Sequence, residues 1–211
     1  MFGAWTRGVQ LLARFQRSET DQAYSLMRRM WGHMVNGDPS STFWEKLAPD
    51  GDTASYTPNQ VGNDILPPNA ATNRGLTSMG HSWSGAAGPA LSMYTLGIRP
   101  VAAGFAEWIV APQPGELRWA QGQVPTPRGP IISRWQRSEG DQSFVLTVSA
   151  PAGTTGTVAV PRLGAARKIA MDGRIVWADG ASVGGIPAVE KDEAVYFSGV
   201  AGEHTFAWGD G

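Results

Sequence analysis

Two different periods of apolar residues divide the chain. From Trp5 to about Asn36 they recur at helical spacing: Val9, Leu11 and Leu12, Phe15, then Tyr24, Leu26, Met27, Met30, Trp31 and Met34. This predicts two amphipathic helices forming an antiparallel hairpin. The break falls at Arg17-Ser18-Glu19-Thr20-Asp21, where Ser18 or Thr20 can cap the second helix, and Asn36-Gly37-Asp38-Pro39 supplies its stop. Between Phe43 and Arg74 no period is sustained; Pro58, Pro67, Pro68 and four asparagines predict a long ordered loop, a type that is usually functional when it is not disordered. A third helix is expected from about Ser84 to Leu96, with Pro89 tolerable in its first turn and Gly97 and Pro100 ending it.

Beyond Pro100 the period drops to two. Phe144, Leu146 and Val148; Val158 and Val160; Ile169 and Met171; Ile175 and Trp177; Val195 and Phe197; Phe206 and Trp208 mark half-buried strands. Asp172-Gly173 between two of them is a hairpin signal, and Gly115, Gly129, Gly140, Gly153, Gly156 and Gly202 are expected to punctuate the rest. Short strands at this spacing predict an antiparallel β-sandwich, with a boundary near residues 98 to 104. Three helices and a loop do not close a helical domain, while their apolar stripes need partners. Self-association or membership of a longer chain is implied.

Composition narrows the function classes. With 17 Lys+Arg against 18 Asp+Glu, the formal charge of -1 provides no basic field for a phosphate backbone, so a nucleic-acid partner is not expected. The absence of cysteine excludes disulfides, thiolate zinc sites and cysteine nucleophiles together. The N-terminus lacks the charged start and apolar core of a leader, and no run approaches a membrane span; a soluble chain of unknown compartment is expected. Nine Trp against four Tyr is unusual, and several of those indoles are expected to face something other than core.

The chemistry concentrates in two stretches. Phe43-Trp44-Glu45, with Asp50 and Asp52 close behind, sets an acid among aromatics, and Gly80-His81-Ser82-Trp83-Ser84-Gly85 returns a His and a Trp in what the flanking glycines predict to be a tight turn. Indole walls exclude water around a carboxylate and stack on the apolar faces of sugar rings. Glu45 could equally be a solvated residue of a short helix capped by Ser41 or Thr42, and His81 a core histidine bonded to a carbonyl. The second stretch also comes within one residue of a Gly-x-Ser-x-Gly nucleophile elbow, failing at Ser84. His33, His81 and His204 are too scattered for a metal site, and no cofactor is implied.

Five motifs in order, Leu26-Met27-Arg28-Arg29-Met30-Trp31-Gly32, Thr42-Phe43-Trp44-Glu45, Gly80-His81-Ser82-Trp83-Ser84-Gly85, Gly97-Ile98-Arg99-Pro100 and Val124-Pro125-Thr126-Pro127-Arg128-Gly129-Pro130, resemble the C-terminal part of α-L-rhamnosidases of glycoside hydrolase family 78. The resemblance implies an α+β chain of two parts: residues 1–100 as the last helices of an (α/α)6 catalytic barrel, incomplete here, and residues 101–211 as a C-terminal β-sandwich. It further implies inverting hydrolysis of terminal α-L-rhamnosides, with Glu45 as general base, His81 beside the sugar subsite, Trp44 as an aromatic wall and Trp83 as a further substrate contact. The general acid of the family lies upstream of this segment, and Asp50, Asp52 and Asp64 carry no mark of a substitute. Arg128 stands where many relatives have His. Expected partners are a rhamnose-containing glycoside and either the missing barrel portion or a second copy of the chain. A non-catalytic carbohydrate-binding or assembly module, with Trp44, Trp83 and Trp108 or Trp119 as platforms, and a remnant of a truncated gene are the alternatives.

Overall fold

The computed structural model describes residues 2–37, 42–44, 46–47, 80–164 and 166–209. They fall into two compact units, which divide after Ala90. In the first, strand β1 (Phe2–Gly3) leads into helix α1 (Ala4–Gln16); α2 (Thr20–Met27), a π-helical turn (Arg28–Gly32) and α3 (His33–Gly37) follow in unbroken succession. Leu11 and Phe15 of α1 and Ala23, Tyr24, Leu26, Met30, Trp31 and Met34 of the second run are buried, as the helical spacing predicts, but Val9 is exposed. Phe15 meets Tyr24 edge to face at 5.3 Å between ring centroids.

The junction between these helices corrects one expectation. Ser18 does not cap α2; it sits at φ 59°, the left-handed position that ends α1. Its N–H donates to the Phe15 carbonyl at 3.0 Å and the next N–H, of Glu19, to the Arg14 carbonyl at 2.9 Å, the paired bonds of a Schellman motif. Glu19 then occupies the N-cap position without a side-chain cap, because its carboxylate is engaged by Arg14 and Arg17 at 3.2 and 2.8 Å.

The unit is completed by β2 (Lys46–Leu47), which pairs antiparallel with β1, a 3-10 turn (Ser82–Ser84) and a single α-turn, α4 (Ala87–Ala90). The expected helix from Ser84 to Leu96 is therefore broken into pieces, continuing as a π-turn over Leu91–Thr95. Pro89 has no N–H to give, Gly88 bonds three residues back to Gly85, and Leu96 bonds five back to Leu91, so no regular ladder is established. Among the described residues this unit is a helical hairpin with the 3-10 turn and α4 against α1; it does not itself close a barrel. The long loop expected after Phe43 lies almost wholly outside the described residues.

The second unit is a β-sandwich whose strands are β3 (Ile98–Pro100), β4 (Glu107–Val110), β5 (Trp119–Val124), β6 (Ile131–Arg137), β7 (Ser143–Ser149), β8 (Thr155–Pro161), β9 (Lys168–Met171), β10 (Arg174–Ala178), β11 (Ala181–Ser182), β12 (Ala188–Lys191), β13 (Ala194–Val200) and β14 (Glu203–Gly209). Seven form one sheet in the order β11-β10-β9-β14-β7-β6-β5, and five the other, β12-β13-β8-β4-β3. Pairing is antiparallel except between β4 and β8. Alternation supplies the core: Phe144, Leu146 and Val148 of β7 and Phe206 and Trp208 of β14 from one sheet, Val158 and Val160 of β8 and Val195 and Phe197 of β13 from the other. Trp135, Phe144 and Trp208 stack in a column, with centroids 5.9 and 6.3 Å apart.

Gly156 departs from its expected place in a turn. It lies within β8, where a Cβ would come 2.2 to 2.6 Å from the indole of Trp108, so the missing side chain makes room for that ring. Of the tryptophans offered as open platforms, Trp83 and Trp119 are exposed, but Trp44 and Trp108 are core, as are Trp31, Trp135, Trp177 and Trp208.

The Asp172-Gly173 turn joins β9 to β10 with both residues left-handed, at φ 51° and 79°, as a two-residue hairpin loop requires. Asp172 also reaches β14: Oδ1 accepts the Thr205 N–H at 2.9 Å and Oδ2 lies 2.6 Å from Nδ1 of His204, whose Nε2 faces the Ala201 carbonyl at 3.0 Å. The Thr205 N–H, then His204, hold the Asp172 carboxyl below its ordinary value of 3.8 against the opposing effect of partial burial.

Two predictions follow from this packing. Gly156→Ala should cost ~3 kcal/mol by overpacking against Trp108, read as a lowered denaturation midpoint at constant slope. Because Asp172 has a folded pKa below its unfolded one, its contribution is complete above pH ~4 and disappears as pH falls through the lower, folded value. Asp172→Asn, which still tolerates the left-handed turn, should therefore lower the melting temperature at pH 7 and converge on the parent as pH falls below the folded pKa.

Candidate functional site

The two sequence stretches that carry the chemistry are neighbours in the first unit. The His81 N–H donates to the Phe43 carbonyl at 2.8 Å, so the Phe43-Trp44 segment and the start of the 82–84 turn are tied backbone to backbone. The turn closes on itself through Ser84 N–H to the His81 carbonyl at 2.9 Å and Gly85 N–H to the Ser82 carbonyl at 3.0 Å. Behind it, the Trp31 indole Nε1–H donates to the Ser84 carbonyl at 2.6 Å in a buried bond. Gly8 of α1 lets the neighbouring backbone approach: a Cβ there would lie 2.7 Å from that of Ala86. The turn is thus held from α1, from the π-turn and from the segment before Glu45.

The proposed side chains differ in their exposure. Trp44 is wholly buried, His81 is half-buried, and Trp83 is 74% exposed at the crest of the turn. Glu45, Asp50, Asp52 and Asp64 lie outside the described residues. The residues on either side of Glu45 are nevertheless anchored, Phe43 through His81 and Lys46 through its pairing with Gly3. Trp31, Gly8 and the Phe43 carbonyl were not singled out as site-forming from sequence. A backbone acceptor leaves no trace in residue type, and a buried indole in a helix looks like ordinary core.

A nucleophile elbow is absent. Ser82 has no strained left-handed backbone, and the preceding His81 is extended at φ -96°, ψ 111°. Ser84 is buried, with Oγ lacking a hydrogen-bond partner among the described residues. Among the described residues no three His, Asp or Glu converge as metal ligands, and no described helix is long and apolar enough to cross a membrane.

Comparison with known proteins places these features. Residues 97–173 match the bacterial α-L-rhamnosidase C-terminal domain. An α-L-rhamnosidase of Streptomyces avermitilis is 31% identical over 150 residues, 67% of this chain and 12% of that protein. The crystal structure of S. avermitilis α-L-rhamnosidase complexed with L-rhamnose matches 90% of this chain and 16% of its own at 27% identity and a TM-score of 0.62. This chain belongs with the C-terminal part of the α-L-rhamnosidases. The family 78 rhamnosidase of Bacillus sp. GL1 aligns likewise, with 27% identity and a TM-score of 0.54 over 74% of this chain and 16% of that one. The match to S. avermitilis extends well beyond the sandwich, so the rhamnosidase relationship includes residues outside the C-terminal domain model. The chain spans only 12% of the length of its curated rhamnosidase relative.

Of the three supports of the 82–84 turn, the Trp31 indole donor is the one that a single side-chain change removes. Trp31→Phe should leave the Ser84 carbonyl buried and unpaired at a cost of ~1–3 kcal/mol. Faster hydrogen exchange at the Ser84 and Gly85 amides, with the sandwich amides unchanged, is the expected signature.

Proposed function

We propose that this chain supplies the general-base side of an inverting α-L-rhamnosidase site. Glu45 is the base that deprotonates the attacking water. His81 provides a polar contact for the sugar, Trp83 offers an open indole face, and buried Trp44 backs the segment that carries the base. The observation that carries this reading is the 2.8 Å bond between His81 N–H and the Phe43 carbonyl, which brings the aromatic-acid stretch and the His-Trp turn to one place. The relationship to rhamnosidases supplies the substrate class.

Inversion requires a second carboxyl group, ~6.5–9.5 Å from the first, so that water fits between base and sugar while the acid protonates the departing oxygen. In this proposal the acid comes from barrel helices preceding the segment, and residues 1–100 contribute the barrel's last helices. A non-catalytic sugar-binding role is the second reading, and the exposed Trp83 favours it equally. Trp44 and Trp108 cannot be open platforms in either case, since both are buried.

Glu45→Gln in an intact rhamnosidase polypeptide containing this segment separates the two. Loss of the base should lower kcat on an aryl rhamnoside by ~100-fold or more with little effect on KM, and azide should restore turnover to Glu45→Ala. Turnover near that of the parent would leave only the binding reading.

A further inference from the structure

The outer face of the seven-stranded sheet has features that the core does not require. Ala120 and Val124 of β5 pack inward, so Trp119, Gln121 and Gln123 point out; Ile131, Ser133 and Trp135 of β6 are buried, so Ile132, Arg134 and Gln136 point out. Register lines up one row across six strands: Trp119, Gln136, Val145, Ala207, Ala170 and Ile175. The next row is Gln121, Arg134, Thr147 and Thr205. At ~4.8 Å per strand the first row is ~24 Å long. Its middle is low, formed by Val145, Ala207 and Ala170, with Ile175 at one end and Trp119, 65% exposed, at the other.

The long side chains beside that indole are uncommitted. Arg134, Gln121 and Gln136 make no side-chain hydrogen bond or ion pair among the described residues, whereas Arg118, Arg137 and Arg162 each have a carboxylate partner. Thr147 and Thr205, by contrast, satisfy one another at 3.1 Å. An amide offers both a donor and an acceptor, a guanidinium offers a fork of donors, and an indole offers a flat apolar face. Together they match a pyranose, which presents hydroxyls at its rim and C–H bonds on its face. The larger apolar residues of the face, Trp119, Ile132 and Ile175, are separated by polar or small ones, which does not give the dry contiguous centre of a protein interface.

We propose that this face, centred on Trp119, Gln121, Arg134 and Gln136, is a binding site for a neutral glycan chain. Trp119 stacks on a sugar ring, and Arg134 with the two glutamines bonds its hydroxyls. The site is independent of Glu45 and stands whether or not the first unit contributes to catalysis.

Native affinity electrophoresis of the full chain in gels containing a neutral rhamnan or, separately, an unsubstituted β-glucan tests it. The parent chain should be retarded by at least one of the two. Trp119→Ala and Arg134→Ala should each weaken that binding by about tenfold, the change that ~1.4 kcal/mol produces, with an unaltered melting temperature because both residues are exposed. Val189→Ala, an exposed position on the five-stranded sheet, should be retarded like the parent. No retardation in either gel, retention of full retardation by Trp119→Ala, or an equal loss with Val189→Ala would overturn the proposal. So would a change of oligomeric state in Trp119→Ala without a change in retardation, which would mark the face as a protein interface.

Discussion

A buried indole has to fill a large volume and also give its N–H to an acceptor, and both units are organised around meeting that requirement. Trp31 donates to the Ser84 carbonyl in the first unit. In the sandwich, Trp135 donates to the Thr95 carbonyl at 2.8 Å, Trp208 to the Pro161 carbonyl at 2.8 Å, and Trp108 to Thr154 Oγ1 at 3.0 Å, whose hydroxyl passes the bond on to Pro151 at 2.7 Å. Most of these acceptors lie outside the regular ladders, in turns or at strand ends. Each indole therefore secures a stretch of chain that strand or helix pairing leaves unsupported. Glycine at 156 is part of the same constraint, because only its bare backbone admits the Trp108 ring.

That constraint explains where the sequence could be read and where it misled. Strands β7, β13 and β14 were legible because each alternates apolar and polar residues in register with a two-sided environment. Strand β5 has Ala, Gly and Gln where a strand signal needs β-branched residues, and Gly122 is fitted to the Leu96 side chain rather than to a turn. The pattern of β10 is interrupted by an irregularity between Ile175 and Trp177, so Val176 and Trp177 are both buried in succession. An excess of tryptophan looks like ligand-binding surface in composition alone. Here six of those rings are core, and four of them, Trp31, Trp108, Trp135 and Trp208, give their N–H to backbone carbonyls or a threonine that no residue count identifies.

At the candidate site, residue types were legible and their support was not. Phe43-Trp44-Glu45 and Gly80 to Gly85 were two of the five ordered motifs that carried the rhamnosidase resemblance, and the match to the S. avermitilis protein agrees with it. The bond from His81 to Phe43, the one from Trp31 to Ser84, and the close approach at Gly8 run through backbone or absent side chains. These three are what make two distant motifs one locality. The same logic separates the roles of the tryptophans: Trp44 is too deep to touch a ligand and Trp83 is too open to be structural.

Among the described indoles, the two exposed ones are then the informative ones. Leaving Trp83 and Trp119 in water forgoes the burial that the other six obtain, at a cost of a few kcal/mol each on the usual area scale. Neither helps its own unit pack. Trp83 stands on a turn braced from three directions, and Trp119 stands on a sheet beside uncommitted amides and a free guanidinium. Rigid backing beneath an open aromatic face is what a sugar-stacking contact needs, since the ring's orientation is settled before the ligand arrives and little entropy is lost on binding. A glycosidase acting on a polymer benefits from holding the chain as well as cleaving it, because a tethered substrate meets the active site at high effective concentration. Taken together, the two proposals would have the sandwich hold glycan and the helical segment supply the base, and each stands or falls by its own test.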